Sequence, residues 1–61
     1  MRTLDFFTEW TYDAAAAVDA VTDTYPCFVE LKSIEMNWME VIIQARQEDM
    51  AGIEILLAGI V

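Results

Sequence analysis

Thr3-Leu4-Asp5-Phe6-Phe7-Thr8-Glu9-Trp10-Thr11-Tyr12-Asp13-Ala14-Ala15-Ala16-Ala17-Val18-Asp19-Ala20-Val21-Thr22-Asp23 is the stretch on which the reading of the chain turns. At about 100° per residue, Leu4, Phe6, Phe7, Trp10, Ala14, Ala17, Val18 and Val21 fall in one broad arc, which predicts a single amphipathic helix with a core-facing side. Thr3 would be its N-cap, with Asp5 in the first turn where the positive end of the helix dipole favours a carboxylate. Pro26 drives Tyr25 out of the α region and would end the helix at Asp23 or Thr24.

The polar side of this predicted helix holds Asp5, Glu9, Asp13, Asp19 and Asp23 and no basic residue. Like charges four apart lose a few tenths of a kcal/mol per pair, so the arrangement costs helix stability. A partner-binding acidic face is one explanation; a solvated face in an acidic protein, its charges screened by salt, is the other.

Beyond Pro26 the hydrophobic period falls to two. In Cys27–Ser33, Cys27, Val29 and Leu31 alternate with Phe28, Glu30 and Lys32, and in Trp38–Arg46, Met39, Val41, Ile43 and Ala45 alternate with Trp38, Glu40, Ile42, Gln44 and Arg46; both predict half-buried strands. The segment Ile53–Ile60 is expected to be a third strand with Ile53, Ile55 and Leu57 inward. A helix starting at Glu48 is the rival, disfavoured because Gly52 would lie inside it. The expected fold is therefore α+β in the order α-β-β-β, a single domain over residues 1–61 with one N-terminal helix packed on a three-stranded antiparallel sheet. Its uncovered face would present Phe28, Trp38, Ile42, Leu56 and Ile60 beside Glu30, Glu40 and Glu54. So much apolar surface predicts a partner or a homodimer, with Trp38, Glu40, Ile42, Glu54 and Leu56 as the contact set.

With 61 residues and 57% hydrophobic composition the chain should fold as one small, marginally stable domain despite its net charge of -8. Eleven acidic residues against Arg2, Lys32 and Arg46 would repel nucleic acid and anionic membrane and attract a basic protein surface. There is no His, the one Ser is Ser33, and no glycine-rich phosphate loop is present, so the expectation is no enzyme, no cofactor and no metal. Cys27 stands alone and falls on the inward side of its strand, as a packed thiol would. The absence of a long apolar run or a signal-peptide pattern predicts a cytoplasmic protein.

On a helix, Asp5, Glu9 and Asp13 would stand about 6 Å apart along the axis, a spacing comparable to phosphates along a strand. In size, acidity and helix-plus-sheet outline the chain resembles the small phage-encoded inhibitors of bacterial defence, among them anti-CRISPR proteins that act as DNA mimics. The resemblance implies a module that blocks a basic nucleic-acid-binding protein by presenting carboxylates in place of DNA phosphates, in the bacterial host cytoplasm and without binding nucleic acid itself. A small structural or adaptor subunit that self-assembles through the apolar face of its sheet is the alternative; its contacts would persist in salt whereas phosphate mimicry would fade.

Overall fold

The computed structural model describes residues 1–60. Strand β1 (Arg2–Glu9) leads into helix α1 (Tyr12–Thr24), followed by β2 (Cys27–Glu35), β3 (Trp38–Ala45), a 3₁₀ turn at Gln47–Asp49 and helix α2 (Met50–Leu56). The fold is α+β, but its order is β-α-β-β-α, which corrects the expected α-β-β-β in two places.

The first correction falls on the opening stretch. Residues 2–9 alternate in burial, with Phe6 and Thr8 buried and Leu4 half-buried while Thr3, Asp5, Phe7 and Glu9 are exposed. Leu4, Phe6, Phe7 and Trp10 fit one arc of a helix, but Leu4, Phe6 and Thr8 equally fit one side of a strand, and Thr and Phe favour the strand. The helix starts at Thr11 instead of Thr3: the Thr11 Oγ1 accepts a hydrogen bond from the Ala14 N–H at 3.1 Å, with Asp13 in the first turn. Its end is where Pro26 puts it, at Thr24, with Tyr25 extended.

The second correction is at the C-terminal end. Met50–Leu56 is helical, and the buried Ile53 and Leu57 with the half-buried Met50, Leu56 and Ile60 follow a helical spacing; Ile55, expected inward, is exposed. Gly52 does sit inside this helix. A side chain there would run into the ring and hydroxyl of Tyr25, so the glycine lets that ring lie against α2.

The sheet order is β1-β3-β2, with both pairings antiparallel. The Trp38–Ala45 segment is the middle strand, and its second neighbour comes from the N-terminus rather than from residues 53–60. Since β1 and β2 both run antiparallel to β3 they are parallel to each other, and α1 connects them across it. Both helices contribute to one core: Phe6, Val41, Ile43 and Ala45 from the sheet cluster with Val18 and Val21 of α1 and with Ile53 and Leu57. Among the described residues no helix lies over the opposite face of the sheet.

Candidate functional site: the open face of the sheet

Residues directly opposite one another in an antiparallel ladder share a face, so the register gives the open face row by row. Across β1, β3 and β2 the rows are Thr3, Gln44 and Phe28; Asp5, Ile42 and Glu30; Phe7, Glu40 and Lys32; and Glu9, Trp38 and Glu35. Five carboxylates therefore share the face with one lysine, at the β2 edge, and with three aromatic rings and Ile42. Phe28 is 70% exposed, Phe7 62% and Trp38 46%, values that place large apolar groups in water rather than in a core.

Charge on this face is poorly neutralised. Lys32 Nζ lies 3.7 Å from Glu30 Oε2, an exposed pair of small energetic weight. A hydrogen bond with Asp5 raises the Glu40 carboxyl above its ordinary value, desolvation adds to it, and repulsion from Asp5 and Glu30 outweighs the opposing pull of Lys32. Elsewhere, Arg46 is held by Glu48 at 3.4 Å and by Asp49 at 3.1 Å.

At one end the β2–β3 hairpin forms a notch lined by Glu9, Glu35, Met36, Asn37 and Trp38. Met36 is 93% exposed and adopts φ +36, a left-handed backbone that a methionine occupies at a cost on the order of 1 kcal/mol. The Trp10 N–H donates to the Asn37 carbonyl and ties the tip to the end of β1.

The structure redistributes the residues expected to act. Asp5 and Glu9, anticipated on one helix face with Asp13, stand on the open sheet face beside Trp38, Glu40 and Ile42. Parts of two surfaces that seemed separate in the sequence thereby meet on one face. Asp13, Asp19 and Asp23 are exposed on α1; Asp19 and Asp23 stand in the layer that covers the other side of the sheet, while Asp13, in the first turn, lines a surface cleft with Phe7, Glu9 and Trp38. Glu54 and Leu56 leave the sheet altogether: Glu54 is exposed on α2 and Leu56 packs against the core. Phe7 and Glu35 are added to the face. The signal for Phe7 was present as the alternation Thr3, Asp5, Phe7, Glu9.

Cys27 is half-buried against the core, and burial first, then the nearby Asp49 carboxylate, raise its thiol above the usual range, which keeps it protonated and a poor nucleophile at neutral pH. Among the described residues no three His, Cys, Asp or Glu side chains group as metal ligands, and no helix is long and apolar enough to cross a membrane. Fold and surface together define a small α+β domain with one covered and one open, acidic-aromatic sheet face. Comparison with protein-family models, with curated proteins and with solved structures finds no match to this chain.

Proposed function

We propose that this chain is an acidic binding module that occupies the nucleic-acid-binding surface of a basic protein, with carboxylates standing where DNA phosphates would. The observation that carries the reading is the open face, on which Asp5, Glu9, Glu30, Glu35 and Glu40 surround Phe7, Trp38 and Ile42 with Lys32 the one cation. Side chains on one side of a strand recur about every 6.7 Å and neighbouring strands lie about 4.8 Å apart, so the carboxylates form a two-dimensional array on the scale of phosphate spacing. Arg and Lys side chains of a partner would find carboxylates to pair with and, at Phe7, Phe28 and Trp38, rings to lie against. An inhibitor of bacterial defence of the anti-CRISPR kind is the biological setting that such a module would suit.

Self-assembly through the apolar part of the same face fits less well. Two copies pressed face to face would bury their carboxylates against one another, with a single lysine each to compensate.

The test uses the intact protein as bait in a bacterial lysate, followed by binding of each captured protein in purified form across a salt series, with duplex DNA as competitor. Expected are nucleic-acid-binding proteins that DNA displaces and salt releases, and weaker binding by the Asp5→Asn/Glu9→Gln/Glu40→Gln variant. Asp19→Asn/Asp23→Asn, on α1, should bind as the parent does. Partners indifferent to DNA and salt, or a loss confined to the α1 variant, would overturn the reading.

A further inference from the structure

The sheet has two free edges, and they are not equivalent. The outward residues of β1 are Thr3, Asp5, Phe7 and Glu9, so a second β1 laid against it in any register that keeps the faces aligned forms no ion pair. Strand β2 differs. Its midpoint is Leu31, and a two-fold axis through Leu31 sets Glu30 opposite Lys32 of a second copy and Lys32 opposite that copy's Glu30.

We propose that the chain forms a symmetric dimer by antiparallel pairing of its β2 edges about Leu31, continuing the two sheets into one of six strands. The same register places Val29 opposite Ser33, Phe28 opposite Ile34 and Leu31 opposite itself. Phe28 (70%), Ile34 (50%) and Leu31 (42%) are the exposed apolar groups of this strand, and the pairing gives each a neighbour. All of β2 from Glu30 to Glu35 is exposed, so its outer backbone groups are open to a second strand. The irregularity between Ser33 and Glu35 leaves Val29–Ser33, centred on the axis, to pair regularly, with Phe28 and Ile34 meeting just beyond its ends. Main-chain hydrogen bonds supply the affinity, and the two Glu30–Lys32 contacts fix the register. Unlike a face-to-face dimer, this one leaves the acidic face free and doubles its length.

Sedimentation of the wild-type protein across the micromolar range should show a monomer–dimer equilibrium. Lys32→Glu sets like charges opposite each other twice and should raise the dimer dissociation constant on the order of tenfold or more. Glu30→Lys should do the same. The swap Glu30→Lys/Lys32→Glu restores opposite charges across the axis and should restore the dimer, while Trp38→Glu on the open face should leave it intact. Both β2 positions are exposed, and circular dichroism of each variant is the check that it folds. A wild-type monomer at the highest concentration, a swap that stays monomeric, or dissociation by Trp38→Glu would each overturn the edge dimer.

Discussion

On the covered face of the sheet Val41 and Ile43 are fully buried against Val18, Val21, Ile53 and Leu57, whereas one residue along the same strand Glu40 and Ile42 belong to a face with no helix above it. Alternation within a strand puts the two sets about 3.3 Å apart in chain rise and on opposite sides of the sheet. The covered set answers to packing, where volume and shape decide the cost of change. The open set mixes rings with unneutralised carboxylates, a combination that adds little to folding and that, on the proposed function, meets a cationic partner. The proposed function thus separates stability from recognition within single strands, and substitutions at neighbouring positions should have different consequences.

The largest contrast is expected at adjacent isoleucines. Ile43→Ala removes a fully buried side chain and should cost about 2 to 5 kcal/mol, comparable to the roughly 3 to 5 kcal/mol that a core of this size supplies. The variant should be largely unfolded without denaturant. Ile42→Ala, half-buried on the open face, should cost about 1 kcal/mol or less. Urea midpoints measure both, and equal shifts would erase the distinction between the faces.

A smaller effect is expected where the covering layer closes on itself. Gly52→Ala adds up to about 1 kcal/mol of helix propensity to α2 but forces aside the Tyr25 ring, an overpacking cost of about 1 to 3 kcal/mol. Net destabilisation should result, and Tyr25→Ala should make the alanine at position 52 neutral or stabilising. A stabilised single variant would show that the ring moves away freely.

These particulars also explain what the sequence could disclose. Strands β2 and β3 were readable because Cys27, Val29, Val41, Ile43 and Ala45 obey one period only. The adjacent Phe6 and Phe7 fit one helical arc but point to opposite faces of a strand, which hid the alternation of Leu4, Phe6 and Thr8; Thr11 before the alanine run was the better start signal, since Thr3 had no such run immediately behind it. Gly52 argued against a helix on propensity, yet its use is tertiary: the contact with Tyr25, 27 positions earlier, is invisible to any local rule. The acidity of the site could be read from composition, but its assembly could not, because the union of Asp5 and Glu9 with Trp38, Glu40 and Ile42 depends on β1 pairing with β3.

The smallest expected effect concerns Glu40, and it separates the faces by pH. Its hydrogen bond with Asp5, then desolvation and the repulsion of Asp5 and Glu30, raise its folded-state pKa above the unfolded value. A raised carboxyl binds its proton more tightly in the fold, so its contribution is most favourable below the unfolded value and is lost as pH rises through the folded one. At neutral pH the ionised group opposes folding. Glu40→Gln keeps a hydrogen-bond donor for Asp5 and removes the charge, so it should unfold at higher urea than the parent at neutral pH. That advantage should vanish on acidification, as the parent's Glu40 takes up its proton. Ile42→Ala, beside it but without a charge, should show the same shift from the parent at both pH values. If Glu40→Gln behaves likewise, the Glu40 carboxyl is not raised in the fold. If its advantage vanishes on acidification, the ionised Glu40 is held beside Asp5 at a cost to the free domain, a cost that a cation placed between the two carboxylates would remove.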